Sequence, residues 1–376
     1  MPNGPYRSVG TLRPAATERT SVQPHRRDEQ YRAVLAKLSP GTVLREAVQR
    51  VIAGHRGALI VIGMNSQVEP VISGGFDVDI NCTAQRLSEL AKMDGAIILS
   101  DDGERILRAN VHLVPNPSIS TDETGTRHRT AERVARQCKV PVISVSESMR
   151  IVTLYINSGK IVLEDVSSLL VRANQALATL ERYRVRLDEG SASLSALEIE
   201  DNVTVRDVVQ VLQRAEMVVR IAEEIEDYVV ELGSEGRLIQ LQLDELMSQV
   251  QDERALVVQD YLADRRRKLE TVLDELSSLS TEELLELERI AKALAYDPDE
   301  VDQAVAPRGY RLLTKIPRVP DPVIEKLVKR FTNLQGVMAA SLEDLDDVEG
   351  VGAARARSIK DGLARLAEST LLERYV

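Results

Sequence analysis

Three basic side chains occupy consecutive positions in the segment GTRHRTAERVA, residues 125–135. Arg127, His128 and Arg129 follow Gly-Thr at the expected start of a helix, where free backbone N–H groups and the helix dipole attract anions. We expect Thr126 to cap this helix. Such a segment favours a polyphosphate ligand, and the alternative interpretation is a solvated basic helix face.

Helix geometry divides this basic cluster. Each residue of a helix turns by about 100°, so side chains two positions apart point about 200° apart. Arg127 and Arg129 therefore cannot both hold one phosphate if both are helical. We expect them to serve two ligands, or one of them to face a neighbouring subunit.

A second short motif, MDGAIILS, places Asp94 and Gly95 at the entrance of an expected strand. A carboxylate there can hold Mg²⁺ or orient a hydroxyl, and a glycine leaves the backbone open to a ligand. An ordinary Asp-Gly turn is the alternative. The P-loop pattern is absent, and GVGAAR near the C-terminus lacks the final glycine and the preceding strand of a dinucleotide fingerprint. If a nucleotide binds, it binds by another route.

The elements that must position these motifs alternate between helix and strand. Apolar residues recur at helical spacing from residue 43 to 52, and short apolar runs such as GALIVIG and VPVISVS are typical of buried strands. A hairpin is expected around Asn157, Ser158 and Gly159. This pattern predicts a mixed α/β domain at residues 27–165. Residues 1–26, rich in Arg, Ser, Thr and Pro, predict a disordered tail, with a transit peptide as the alternative.

Long amphipathic helices without strand patterns follow, at residues 166–305. They predict an all-α helical spine that spaces and oligomerises the chain, rather than a ligand site.

The last segment, residues 306–376, contains an internal repeat. Residues 316–320 (IPRVP) and 348–352 (VEGVG) each enter a tight turn that a helix leaves. This pattern predicts a tandem helix-hairpin-helix domain, and a small helical packing domain is the alternative. Gly350 and Gly352 let backbone N–H groups approach a phosphate. The basic residues that follow are Arg355, Arg357 and Lys360.

Charge is unevenly distributed along the chain. The whole chain has 48 Lys and Arg against 59 Asp and Glu, a net charge of −11, whereas residues 306–376 have 12 against 10. This shift favours sequence-independent contact with DNA at the C-terminal end. Cys82 and Cys138 lack C-x-x-C spacing and are expected to be core thiols in a reducing compartment. No apolar run approaches the roughly 20 residues of a membrane span, so we expect a cytoplasmic protein without membrane contact.

Four features together resemble the DNA integrity scanning family of bacterial diadenylate cyclases. They are DGA at residues 94–96, GTRHRTAE at residues 125–132, the helical middle and the helix-hairpin-helix end. The departures are the N-terminal tail and a first hairpin with Pro317 and Pro320 where the second has glycines.

The resemblance implies an activity: condensation of two ATP into cyclic di-AMP and two diphosphates, with Mg²⁺ or Mn²⁺. It also implies a homo-octamer with apposed cyclase domains, and a nucleoid-associated protein that scans DNA for damage or branches. Asp94 would bind the metal, Gly95 the nucleotide and Leu113 the base. The phosphates would be held by Thr126, Arg127, His128, Arg129 and Thr130, with Ser146 and Glu147 as secondary candidates. A DNA-binding scaffold that holds ATP as a sensor without turnover is the competing hypothesis, whereas a helical adaptor without nucleotide explains neither motif.

Overall fold

The computed structural model describes residues 29–373. The chain divides into two compact units, the first ending at Leu163 and the second beginning at Glu164. The predicted disordered tail, residues 1–26, lies outside the described residues. No helix in the described part of the chain has both the length and the apolar character that a membrane crossing requires.

Eight strands of the described chain form one sheet in the first unit. They are β1 (Ala58–Ile62), β2 (Ile72–Ser73), β3 (Phe76–Asn81), β4 (Ala96–Leu99), β5 (Arg105–Leu113), β6 (Val142–Val145), β7 (Val152–Ile156) and β8 (Gly159–Val162). The order is β2-β5-β4-β1-β6-β7-β8, with β3 also paired to β5. β1 and β4 run parallel and the other pairings are antiparallel. The predicted mixed sheet is confirmed.

The central strands are buried along their whole length. β1, β4, β6 and β7 contain only buried residues, because side chains on both faces of the sheet are covered. The helices of this unit are α1 (Glu29–Lys37), α2 (Val43–Ala53), α3 (Ala84–Leu90) and α4 (Thr126–Cys138). Helix α4 packs its apolar side, Ala131, Val134, Ala135 and Cys138, into the core beneath the sheet. Cys138 is thus a core thiol as predicted, whereas Cys82 is only partly buried.

Helices make up the second unit as far as the structure describes it, apart from one isolated β-bridge between Thr204 and Ala304. Its first part contains α5 (Val166–Glu200), α6 (Val205–Leu232), α7 (Arg237–Met247), α8 (Val250–Tyr261), α9 (Leu269–Ser278), α10 (Thr281–Leu284) and α11 (Leu287–Ala293). Helices α5 and α6 pack along each other in one apolar core. Thr204 starts α6 with a capping box that Asp207 completes. The predicted helical spine is confirmed.

The rest of the second unit contains both hairpins of the predicted repeat. Its helices are α12 (Tyr310–Thr314), α13 (Asp321–Phe331), α14 (Leu334–Ala339), α15 (Leu342–Asp346) and α16 (Gly352–Glu373). The first hairpin joins α12 to α13, and the second joins α15 to α16. Arg318 in the first hairpin has a φ of 69°, at the position where Gly350 in the second has a φ of 92°. The two turns therefore share a left-handed residue although only one of them has glycine there.

Candidate functional site

The basic segment begins α4, as the sequence predicts, but its cap differs. Gly125 occupies the N-cap position with φ −77° and ψ 140°, and no side chain caps the helix. The prediction that Thr126 caps α4 is wrong, because the chain enters the helix one residue earlier and makes Thr126 its first helical residue. The uncapped N–H groups of the first turn remain available to an anion.

Arg127 and Arg129 point in different directions, which confirms the prediction from helix geometry. Arg127 Nη2 lies 3.9 Å from Asp94 Oδ1. Arg129 instead donates to the backbone carbonyls of Glu123 and Thr124, at 3.3 and 3.2 Å. Arg127 is therefore the arginine that joins the site, and Arg129 fixes the loop that leads into α4.

Gly57, which the sequence analysis did not single out, determines where Arg127 lies. A Cβ at Gly57 would come within 2.4 Å of Arg127 Nη1 and 3.1 Å of the Val145 carbonyl oxygen. The guanidinium thus occupies the space beside the backbone just before β1. Only the tertiary structure reveals this contact, since the two residues lie far apart in sequence.

Asp94 precedes β4, and its side chain is fully exposed. Gly95 follows with a φ of 140°, and a Cβ there would come within 2.8 to 3.0 Å of the Asn110 and Val111 backbone. The space that Gly95 leaves therefore faces β5, so the close approach of that strand, rather than room for a ligand, requires the glycine. Contact between Gly95 and a nucleotide stays a prediction.

His128 points inward, unlike its neighbours, and belongs to a chain of polar side chains. Its Nδ1 lies 2.9 Å from the Tyr155 hydroxyl, which donates to Glu123 Oε1 at 2.8 Å. Lys160 Nζ contacts the same carboxylate oxygen at 2.5 Å. The four side chains connect α4, its preceding loop and strands β7 and β8.

These hydrogen bonds determine which nitrogen of the His128 ring carries the proton. A phenol has one proton, and Tyr155 gives it to Glu123, so the Tyr155 oxygen accepts from His128 Nδ1–H. The Nε2 of the neutral ring is then a hydrogen-bond acceptor, and it has no partner among the described residues. A neutral acceptor is better suited to bind a hydroxyl donor than a phosphate. The family resemblance, in contrast, implied that His128 holds a phosphate.

The pKa shifts of these hydrogen-bonded side chains favour the neutral form of His128. Burial lowers the pKa of His128, against the Glu123 carboxylate, which raises it. Burial raises the pKa of Glu123, but hydrogen bonds from Lys160 and Tyr155 outweigh it and leave that pKa below its usual value. The pKa of the Tyr155 phenol is raised by burial and by its bond to Glu123.

An open pocket of about 530 Å³ lies at the start of α4. It is lined by His55, Gly125, Thr126, Arg127, His128, Val145, Ser146, Glu147 and Ser148. The secondary candidates Ser146 and Glu147 thus share the pocket with the basic segment, because β6 ends beside α4. Five of the predicted site residues are not among the lining residues: Asp94, Gly95, Leu113, Arg129 and Thr130. Leu113 is buried at the end of β5.

The residues present fit a divalent cation that a ligand helps to hold. No group of three or more His, Cys, Asp or Glu residues in the described chain is arranged to hold a metal by itself. Mg²⁺ usually binds through one or two carboxylates and substrate phosphates, and the exposed Asp94 carboxylate beside Arg127 offers one such ligand.

The second hairpin leaves its backbone accessible. A Cβ at Gly352 would meet nothing within 4 Å, and Arg357 is exposed. Arg355 Nη1 donates to the Gly350 carbonyl at 2.5 Å, and Lys360 Nζ donates to the Met338 carbonyl at 2.7 Å. These two cations support the hairpin fold itself, whereas Arg357 has no such partner among the described residues.

The chain is similar to known proteins over nearly its whole length. Over 367 residues the chain is 56% identical to the DNA integrity scanning protein DisA of Acidothermus cellulolyticus, covering 96% of this chain and all of that protein. It is 57% identical over 351 residues to the same protein of Streptomyces griseus, covering 92% of this chain and 94% of that one. The chain belongs to the DisA family.

Three family models match successive parts of this chain. The DisA nucleotide-binding model matches residues 45–160, which contain the pocket. The DisA linker model matches residues 163–303, and a helix-hairpin-helix motif, a DNA-binding motif, matches residues 333–362. A solved structure of a DacA double mutant from Staphylococcus aureus is 24% identical, covering 37% of this chain and 89% of that one, with a TM-score of 0.27. The family assignment does not depend on it.

Proposed function

We propose that the protein is a diadenylate cyclase that condenses two ATP molecules into cyclic di-AMP with release of two diphosphates, and that DNA binding regulates this activity. One observation supports the proposal most: Asp94 and Arg127 lie side by side at the uncapped start of α4, in the unit that matches the nucleotide-binding model. A carboxylate that can bind a metal and a guanidinium that can bind a phosphate, 3.9 Å apart, suit nucleotidyl transfer.

Each half of the reaction forms and breaks one bond to phosphorus. The 3′-oxygen of one ATP attacks the α-phosphorus of the other, the bond from that phosphorus to the bridging oxygen breaks, and diphosphate leaves with the electron pair. The 3′-hydroxyl proton passes to solvent or to a neighbouring base. Arg127 and the N–H groups of α4 stabilise the negative charge on the phosphates, so catalysis is mostly positioning and charge neutralisation.

A divalent cation, Mg²⁺ or Mn²⁺, would be held by Asp94 together with the phosphates. When bound it would neutralise phosphate charge and make the 3′-hydroxyl more acidic. His128, neutral and with an acceptor at Nε2, would contribute a hydrogen-bond acceptor rather than a positive charge. We assign the base to Leu113 and the remaining phosphate contacts to Thr126, Arg129 and Thr130 on the family resemblance alone.

Two nucleotides must face each other in this reaction, so we propose that two chains meet at this pocket. The full exposure of the Asp94 side chain supports the proposal, because a second chain could reach it. The homo-octamer implied by the resemblance would satisfy it.

The second hairpin is the proposed DNA contact, through Gly350, Gly352, Arg355, Arg357 and Lys360. The exposed glycines and Arg357 support backbone contact without sequence readout. We further propose that branched or damaged DNA lowers cyclase activity, and that the protein works at the nucleoid.

The test is incubation of the full chain with ATP and Mg²⁺ or Mn²⁺, followed by mass spectrometry of the products. Cyclic di-AMP and diphosphate are expected. ATP binding without product would contradict the cyclase and favour the scaffold that holds ATP as a sensor.

Asp94→Asn is expected to abolish turnover while leaving folding and assembly intact, because an amide is a poor ligand for Mg²⁺. Asp79→Asn, which removes an exposed carboxylate paired with Arg105 in the same unit, is the matched control. Equal product formation by the two variants would remove Asp94 from the mechanism.

A further inference from the structure

A second pocket, of about 470 Å³, lies within the helical unit between its linker and hairpin parts. We call it the basic pocket. The α8–α9 loop contributes Arg265 and Arg267, Arg308 precedes α12, and Lys329 lies near the end of α13. The other lining residues are Gln259, Leu262, Leu269, Tyr310, Glu325, Val328 and Thr332.

Positive charge dominates this pocket. Four cationic side chains line it against one carboxylate, that of Glu325. The α8–α9 loop adds Arg266 and Lys268, both exposed, so that residues 265–268 read RRRK. The net charge of the whole chain is −11, so this local excess of positive charge is unusual. Repulsion between the like charges destabilises the folded state, and an anionic partner would relieve it.

The cations of the basic pocket fall into two groups. Arg308 donates to the Gln259 and Leu262 carbonyls, and Arg267 donates to the Ala293 carbonyl and pairs with Glu275. These two form the pocket wall.

Arg265 and Lys329 are both exposed, and neither side chain has a hydrogen bond or an ion pair within the described residues. Their charges remain available to a ligand, beside a wall that is already fixed.

Helix α13 connects this pocket to the hairpins. A Cβ at Gly350 would lie 3.5 Å from Val323 near the start of α13, and Lys326 pairs with Glu349 of the second hairpin at 3.0 Å. Lys329 follows Lys326 by three positions, on the same face of the helix. Val323 and Lys329 are about 9 Å apart along the axis, the axial length of two to three phosphates of one DNA strand.

We propose that the basic pocket is a second contact for the phosphodiester backbone of DNA, in which Arg265 and Lys329 bind phosphates and extend the DNA footprint from the hairpins onto the linker. This inference rests on the proposed DNA binding. A free polyphosphate offers the same chemistry, but the shared helix α13 favours a polymer that also contacts the hairpin.

The test uses the full chain, a fluorescein-labelled DNA duplex and fluorescence anisotropy over a series of salt concentrations. Log affinity falls as log salt rises, and each lost phosphate contact reduces the magnitude of this negative slope by about 0.9. Near 0.1 M salt this corresponds to roughly a tenfold loss of affinity. The Arg265→Ala/Lys329→Ala double variant is therefore expected to reduce the magnitude of the slope by about 2. Arg265→Lys/Lys329→Arg, which keeps both charges, is expected to retain it.

The matched control is Arg237→Ala/Lys292→Ala, which removes an exposed arginine and an exposed lysine from α7 and α11 of the same unit. Equal slopes and affinities for the two double variants would overturn the inference. Binding of inorganic triphosphate that is lost in the pocket variant, with DNA binding unchanged, would overturn it in favour of a free polyphosphate.

Gly350→Glu separates this inference from the function on which it rests. If the wild-type chain binds DNA and Gly350→Glu weakens binding while the pocket variant matches its control, the basic pocket alone is refuted. If the wild-type chain binds no DNA, the proposed DNA binding itself fails, and the inference with it.

Discussion

The position of Arg127 depends on a residue with no side chain. The guanidinium lies against Gly57 before β1, with its Nη2 3.9 Å from Asp94 Oδ1. An arginine has many rotamers, and a fixed position reduces the entropy lost when it binds a phosphate. Gly57 is therefore a positioning residue for the charge that the proposed reaction needs.

Gly57→Ala is expected to leave the fold intact and to lower cyclic di-AMP formation by about a hundredfold, because a displacement of about 1 Å can have that effect. The atom that a Cβ would meet first is the far end of the flexible Arg127 side chain, which must move. The Val145 carbonyl oxygen, 3.1 Å from that Cβ, has to shift by only a few tenths of an ångström. Initial rates of product formation measure this.

A double-mutant cycle with Arg127→Ala separates positioning from general damage. The effect of Gly57→Ala is expected to vanish in the Arg127→Ala background, since no guanidinium remains to be displaced. Additive effects of the two substitutions would show that Gly57 acts independently of Arg127.

His128 is expected to titrate below its ordinary pKa of 6.5, because burial disfavours the charged ring. The folded state then binds this proton less tightly than the unfolded state does. The contribution of neutral His128 to the free energy of unfolding is fully present above pH 6.5 and is lost as the pH falls through the folded-state pKa. Histidine-selective ¹⁵N NMR over a pH series measures the pKa, with the signal assigned by its absence in His128→Gln.

The same spectra test the proton assignment on the His128 ring. The wild type is expected to carry the proton on Nδ1, and Tyr155→Phe is expected to disturb that preference by removing the acceptor. Tyr31→Phe is the control, since the Tyr31 hydroxyl is also buried but donates to the Ile156 carbonyl. A proton on Nε2 in the wild type would contradict the polar chain.

At the scale of elements, a buried ion cluster joins the first hairpin helix to the spine. Arg311 in α12 is fully buried and pairs with Glu198 of α5 at 2.7 Å and with Glu253 of α8 at 2.8 Å. Burial lowers the pKa of Arg311, but the two glutamates outweigh it and raise that pKa above its usual value. The buried charge of Arg311 is thus neutralised by carboxylates of two linker helices, which joins α12 to the linker.

Asp260 strengthens the same junction. Its carboxylate accepts N–H bonds from Gly309, Tyr310 and Arg311 at the start of α12, at 2.7 to 2.8 Å. Burial, and then the charge of Glu198, raises the pKa of Asp260 to about 7. The helix start is fixed through these backbone donors.

Arg311→Met is expected to destabilise the helical unit by about 3 to 5 kcal/mol, because it leaves buried carboxylates without a partner. Urea unfolding followed by far-ultraviolet circular dichroism measures this, since the chain has no tryptophan for fluorescence. Arg289→Met, at an exposed pair with Glu286, is the control and is expected to leave the midpoint unchanged. Equal midpoints for the two variants would show that the cluster contributes nothing to stability.

At the scale of the whole molecule, the proposed nucleotide and DNA contacts lie in different compact units. The pocket at the start of α4 belongs to the unit that ends at Leu163, and both hairpins belong to the unit that begins at Glu164. The two units are joined covalently at residues 163–164. Helix α5, which begins the second unit at Val166, carries Glu198 of the ion cluster.

If two chains complete each reaction site, cyclase activity per chain is expected to fall on dilution, because dissociation separates the two bound ATP molecules. Product formation across a dilution series measures this, and analytical ultracentrifugation under the same conditions gives the oligomeric state. Nucleotide binding by the dissociated single chains is expected to persist. Constant activity per chain from a monomer would contradict the two-chain site.

The sequence by itself determined the elements and the residue types of the site. Strong apolar periods predicted the central strands and long helices, and the repeat at residues 316–320 and 348–352 predicted both hairpins. It did not predict β2 or β3, because β3 (FDVDIN) is half-exposed and polar and β2 is only two residues long. Local patterns carry this information because secondary structure depends on periodicity within a few turns.

Tertiary structure alone decided how those residues work. Gly57 beside Arg127, the contact of Gly95 with β5 and the chain from Lys160 to His128 each join segments distant in sequence. The basic pocket likewise arises where three segments meet. A sequence shows which charges exist, but the free energy of each depends on burial and partners, which only the folded chain fixes.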